Sequence, residues 1–229
     1  MNLKILLCFA FFSILSCTKE KMVQKPIAQP IKASYLALGD SYTIGQGVLD
    51  AERWPNQLVD SLTKRQILLD TPRIIARTGW RTDQLQAAID TLKKKDWDFV
   101  SLLIGVNDYY QNWPVQAFVP KFERVLDSAI ALADKKKERV LVVSIPDYGY
   151  TPFGQGNLAA ISAGLNNYNL VIKGICETNN VTFINITDIS QMGLIQPNLV
   201  AQDGLHPSGK QYGLWVQRLV SNPFFDQFR

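Results

Sequence analysis

The segment Gln202-Asp203-Gly204-Leu205-His206-Pro207 carries the only histidine of a 229-residue chain. Asp203 stands three residues before it. Imidazole has an ordinary pKa close to neutrality, which suits it to take and return a proton. A carboxylate within one turn can fix its tautomer and stabilise the imidazolium. Such a pair needs a group to act on, and a serine hydroxyl is a poor nucleophile until a base removes its proton. Ser41, in Gly39-Asp40-Ser41, is the candidate. Its attack on a carbonyl would create an oxyanion that needs hydrogen-bond donors already in place. The N–H of Gly79, the carboxamide of Asn107 and the N–H of Ser41 are three. Together these residues fit nucleophilic acyl transfer. Singly they have plainer readings: Ser41 as a helix N-cap, Asn107 as a turn residue, His206 as a surface histidine ahead of a helix.

The candidates can meet only if the intervening elements bring them together. Short apolar runs alternate with helical patterns. Ser34–Asp40, Arg73–Thr78, Asp98–Gly105, Arg139–Pro146 and Val181–Thr187 read as strands. Helices are expected over Trp54–Lys64, Thr82–Lys94, Pro114–Lys136 and Asn157–Thr178, with a last one from about Ser208. In the third-strand crossover, Phe118, Phe122, Val125, Ala129 and Leu132 form one apolar stripe. Nearly continuous apolar strands alternating with helices predict a parallel sheet covered on both faces. The expectation is a single three-layer α/β/α domain with a five-stranded parallel sheet. Active groups in such sheets lie beyond the carboxyl ends of the strands. Ser41, Gly79 and Asn107 each follow a predicted strand, and the last loop adds Asp203 and His206.

With these residues in place the chain resembles the SGNH, or GDSL-type, hydrolases. Gly39-Asp40-Ser41 with Gly45 downstream, then Gly79, then Gly105-Val106-Asn107-Asp108, then Asp203-Gly204-Leu205-His206-Pro207 occur in the family's order, across roughly residues 35 to 215. The resemblance implies the SGNH-hydrolase, flavodoxin-like fold. It also implies Ser41 as nucleophile and oxyanion donor, Gly79 and Asn107 as the other donors, His206 as base and Asp203 as its orienter. Asp40 is implied to be structural. No cofactor and no metal are expected.

Other readings fare worse. Gly39-Asp40-Ser41-Tyr42-Thr43 lacks the second glycine of the α/β-hydrolase elbow. The loop lacks the Gly-Lys-Ser/Thr ending of a phosphate-binding loop, and Asp40 would repel phosphate. A net charge of +4 from dispersed lysines gives no footprint for nucleic acid. Lys93–Lys95 and Lys135–Lys137 are read as helix C-termini, where cations suit the macrodipole. A non-catalytic glycan-binding lipoprotein on the same scaffold stays open.

Substrate cues are local. Trp80, Tyr109, Tyr110 and Trp113 follow the candidate oxyanion donors. They could form a platform for a sugar ring, a wall for an acyl chain, or part of the core. Trp80 and Tyr109 are the candidate substrate-binding residues. The bulk of Trp80 and of Tyr109-Tyr110 near the nucleophile would crowd a long acyl chain, so the expected substrates are short acyl esters, acetyl above all, with acetylated carbohydrate as a candidate partner. A lysophospholipase or thioesterase is the alternative. A Pro- and Gly-punctuated segment at 146–156 is expected to lie over the site.

The first residues read as a targeting segment. Lys4 precedes an apolar run too short to span a bilayer as a helix. Leu15-Ser16-Cys17 resembles a bacterial lipobox. The expected organisation is a lipoprotein signal peptide at 1–16, a polar tether at 17–32 and the hydrolase domain at 33–229. Cys17 would be the lipidation site, anchoring the protein to a membrane of the bacterial cell envelope. Of the three cysteines only Cys176 would then remain free, on an apolar helical face, as a buried structural thiol. Cys17→Ser should abolish lipidation and move the protein from the detergent phase to the aqueous phase in detergent partitioning. Unchanged partitioning would contradict the lipobox reading.

Overall fold

The computed structural model describes residues 32–93 and 96–229. The signal segment, Cys17, all of the tether but Lys32, and Lys94 and Lys95 lie outside the described residues.

Five parallel strands form one sheet in the order β2-β1-β3-β4-β5: β1 (Tyr35–Gly39), β2 (Arg73–Ala76), β3 (Phe99–Leu103), β4 (Val140–Val143) and β5 (Thr182–Ile184). Every residue of β1, β3 and β4 is buried, whereas β2 and β5, at the sheet edges, are partly exposed. This explains why the three central strands read as unbroken apolar runs and β2 as the weaker signal.

The chain reverses direction at β2. From β1 to β2 it moves one way through α2 (Trp54–Thr63), after the short α1 (Ser41–Ile44). From β2 it returns past β1 to β3 through α3 (Thr82–Ile89), and continues the same way. The later crossovers carry α4 (Val106–Tyr110) and α5 (Val115–Leu132), then α6 (Leu158–Asn179). Crossovers of one hand that reverse direction must cover opposite faces. Accordingly α2 packs with the last helix, α8 (Gly209–Val220), while α5 packs with α3 and α6. The short α7 (Thr187–Ser190) follows β5. The α5 stripe from Phe118 to Leu132 is buried as expected.

The helix ends differ from expectation. α3 stops at Ile89 and α5 at Leu132, so Lys93 and Lys135–Lys137 lie beyond the last helical turns. Asp134 and Lys135 take left-handed φ values of 57° and 61° that turn the chain out of α5, and Lys136 pairs with Asp134 at 2.9 Å. The lysines therefore do not serve as helix-dipole partners, whose effect fades within one turn. Cys176 is buried as expected, and burial, with a smaller push from Glu177, raises its thiol pKa to about 12.

Candidate active site

Strand register aligns the site. Gly39 pairs with Ala76 on one side and Leu103 on the other, so β2, β1 and β3 end at one level. The loops that leave them carry Gly79, Ser41 and Asn107. β1 and β3 approach too closely for a side chain at Gly39, where a Cβ would lie 2.5 Å from the Leu103 carbonyl oxygen. Asp40 then caps α1, its Oδ1 accepting from the Tyr42 N–H at 3.0 Å. Ser41 is the first helical residue, so its own N–H has no intrahelical acceptor.

Gly79 sits at φ 84°, a conformation that glycine adopts without steric cost. Among the described residues its N–H has no acceptor within the chain. Asn107, in α4, donates from Nδ2 to the Trp80 carbonyl at 3.0 Å, leaving its second amide hydrogen uncommitted. Next to it, the buried Asp108 carboxylate accepts from the Thr82 N–H at 3.1 Å and the Thr82 hydroxyl at 2.6 Å. These bonds clip the β2 and β3 loops together.

The last loop is closed by its own aspartate. Asp203 Oδ1 accepts from the backbone N–H of Leu205 and of His206, both at 3.0 Å. Asp203 Oδ2 lies 2.7 Å from His206 Nδ1. Burial works against the Asp203 charge, but the N–H groups of His206 and Leu205 and the imidazole outweigh it and lower the carboxyl pKa below its ordinary value. An ionised Asp203 accepts the Nδ1 proton, which assigns the tautomer and leaves Nε2 as an acceptor. His206 is buried, with its ring edge against Tyr42 at 5.6 Å.

Ser41, Gly79, Asn107 and His206 line one cavity of about 290 Å³. Ser41 and His206 share it without a hydrogen bond between them. A larger cavity of about 460 Å³, lined by Asn169, Asn185 and Asp188 among others, has no serine, cysteine or histidine in its lining, and its Asp188 pairs with Arg218.

The aromatic residues around Ser41 are not the two expected. Neither Trp80 nor Tyr109 lines the Ser41 cavity; Tyr110, Tyr148 and Phe153 do. On α4, Tyr110 stands three residues after Asn107 and shares its face, while Tyr109 is turned about 100° away. Tyr109 instead packs edge-on against Tyr168 at 5.7 Å and donates to the Ala160 carbonyl. Trp80 packs partly buried against the core. Tyr148 and Phe153 were within reach of the sequence as aromatics in the punctuated segment after β4, but no periodicity aims them.

A family model described as "GDSL-like Lipase/Acylhydrolase family" matches residues 37–214. The chain belongs to this family. It is accordingly a GDSL-type serine hydrolase. No curated protein matches the chain. Solved structures with the same fold include the psychrotrophic esterase EstA from Pseudoalteromonas sp., at 19% identity and TM-score 0.62 over 83% of this chain and 96% of that one. A family 3 carbohydrate esterase from Clostridium thermocellum is 19% identical with TM-score 0.66, over 87% and 98% of the two chains. A variant of an acetyl xylan esterase from Geobacillus stearothermophilus is 20% identical with TM-score 0.60, over 82% and 93%. At these identities the likeness is one of fold.

This GDSL-type hydrolase keeps two carboxyls buried beneath its site. Burial raises Asp40 to about 8, with nearby Asp108 adding to the rise and the Tyr42 N–H opposing it. Burial also raises Asp108 to about 6 against the Thr82 bonds. Both folded values exceed the ordinary 3.8. The folded state therefore holds protons that the unfolded chain releases, and stability falls as pH rises from about 4 through 6 to 8. Asp40→Asn keeps an Oδ1 acceptor for Tyr42 and has nothing to ionise. Its urea midpoint should fall less between pH 5 and pH 8 than that of the wild type. Equal slopes would show that Asp40 does not titrate in this range.

Proposed function

We propose that the protein hydrolyses short-chain acyl esters, acetyl above all, through a Ser41–His206–Asp203 triad, with acetylated carbohydrates as the substrate class. The observation that carries this is one cavity shared by Ser41, the Asp203-bound imidazole and a Gly79 N–H without an acceptor.

In this reading the Ser41 Oγ attacks the ester carbonyl carbon as its proton passes to His206 Nε2. Catalytic hydrogen bonds are often long in the free enzyme and tighten in the complex. The carbonyl oxygen becomes an oxyanion that accepts from the N–H groups of Ser41 and Gly79 and from Asn107 Nδ2. Asp203 holds the imidazolium. Collapse expels the alcohol, which takes the proton from His206 and leaves an acyl ester on Ser41. Water, deprotonated by His206, then attacks that ester; the carboxylic acid leaves and Ser41 recovers its proton. Asp203 stays ionised below the ordinary carboxylate range, so it serves the base wherever the imidazole is neutral.

The small cavity supports a short acyl group. Its size, about 290 Å³, sits just below the roughly 300–1,000 Å³ of small-molecule sites. Val106, Leu205 and Phe153 make its walls apolar. At the chain's start, the lipobox supports an anchor on Cys17 and placement in the bacterial cell envelope.

Ser41→Ala and His206→Ala should each lower kcat by about 10³-fold or more while leaving the circular dichroism spectrum intact. The chain holds no second histidine to substitute. Asn107→Ala should lower kcat by about 10²–10³, with little change in KM. Activity of His206→Ala within twofold of wild type would end the triad reading, and a change in KM alone would make Asn107 a binding residue only.

On p-nitrophenyl esters, kcat/KM should fall from acetate to butyrate to decanoate. Preference for decanoate together with turnover of lysophosphatidylcholine would overturn the acetyl reading in favour of a lysophospholipase.

A further inference from the structure

The aromatic wall of the Ser41 cavity is shared with a neighbour. Tyr110, Tyr148 and Phe153 also line a second cavity of about 390 Å³. The three rings stand in a triangle with centroids 6.2–6.3 Å apart. Tyr110 and Phe153 are each 54% exposed, an unusual amount of bare aromatic surface beside a nucleophile. Beyond them the second cavity is lined by Tyr109, Asn112 and Asn157.

Its chemistry differs from that of the first. Among the described residues, the carboxamides of Asn112 and Asn157 donate to and accept from nothing within the chain. A free carboxamide offers both donor and acceptor, which suits a hydroxyl. None of the lining residues is charged. A phosphate-bearing or ammonium-bearing alcohol would find no counter-ion here, whereas a neutral polyol would find aromatic faces and amides. Burial, then Tyr109, Tyr110 and Asp147, push the Tyr148 phenol up to about 12, so it too stays neutral.

The wall is fixed in place. Asp147 accepts from the Gly149 N–H at 2.9 Å and the Ser162 hydroxyl at 2.6 Å, and its own N–H donates to Ser190 Oγ. The Phe153 N–H donates to the Gly204 carbonyl, in the loop between Asp203 and His206. Tyr109 is pinned through its hydroxyl to Ala160.

We propose that this second cavity is the leaving-group subsite, where a neutral glycosyl unit binds against Tyr109, Tyr110 and Phe153 with its hydroxyls on Asn112 and Asn157, while the acyl group occupies the Ser41 cavity. The assignment rests on the ester-hydrolase reading above and gives the 146–157 segment its role: it selects the alcohol.

The test is the double variant Asn112→Ala/Asn157→Ala. The ratio of kcat/KM for acetylated xylotetraose to kcat/KM for p-nitrophenyl acetate should fall about tenfold, as for two lost hydrogen bonds. Calorimetric titration of unesterified xylotetraose should show binding to wild type and weaker binding to the variant. An unchanged ratio, including an equal fall on both esters, would overturn the subsite, because a merely structural role lowers both alike. If wild type turns over neither ester, the acetylesterase reading fails. The titration then decides alone: weakened binding in the variant supports the subsite, and no binding to wild type overturns it.

Discussion

Between β1 and β3 the chain leaves the sheet in opposite directions, and helices cannot cover the gap this opens at the strands' carboxyl ends. The rest of the molecule is arranged around that gap. Register fixes its depth, because Ala76, Gly39 and Leu103 end their strands side by side. Three loops then emerge within reach of one another, bearing Gly79, Ser41 and Asn107. The fourth component comes from far along the sequence, in the loop before α8, and the packing of α8 on α2 fixes where that loop lies. No single loop contains the site. A crevice of this kind collects groups that are distant in sequence, since the backbone donors there are not consumed by the sheet ladder.

The polar groups beneath the site show how the loops stay put. Asp108 binds the start of α3 through both the Thr82 N–H and its hydroxyl, while Asn107 binds Trp80 in the same loop. Asp40 holds the first turn of α1. Each carboxyl is buried at a cost in its ionised form, seen in the raised values of about 8 and about 6. Apolar residues could fill the same volume more cheaply, but they could not aim an N–H or a carboxamide. Stability is exchanged for direction at the point where direction matters to the chemistry.

Much of this was legible in the sequence, for identifiable reasons. β1, β3 and β4 are buried on both faces and so appear as continuous apolar runs, which is what a covered parallel sheet requires. Asp203 reaches His206 within one turn, so their contact is a local fact. Tyr110 was harder. The choice between it and Tyr109 depends on the phase of α4, a five-residue helix too short to display a period. Trp80 failed for a related reason: its backbone carbonyl serves the site while its side chain packs away. Tyr148 lies in a single 3-10 turn and Phe153 in irregular chain, where tertiary bonds such as Phe153 to Gly204 decide which way a ring faces. The lysine runs misled because positive-φ residues, not charge, end α5.

The bond between Phe153 and Gly204 also bears on how the enzyme would work. A segment that opened and closed over the site would carry the Asp203–His206 loop with it, because the two loops share that bond. The imidazole would then lose its place at each opening. Asp147 spans the segment further, with bonds to Gly149, Ser162 and Gln191. Such a segment is better suited to a standing wall than to a lid. A standing wall would separate the two halves of an ester without excluding water, and water is what the second half of the proposed reaction needs. In the proposed mechanism, once the alcohol had left, the cavity it vacated would be the natural route for the hydrolytic water to reach the acyl group on Ser41, on the same side from which the leaving oxygen departed. A single imidazole can then serve both steps without moving, which a chain with one histidine requires.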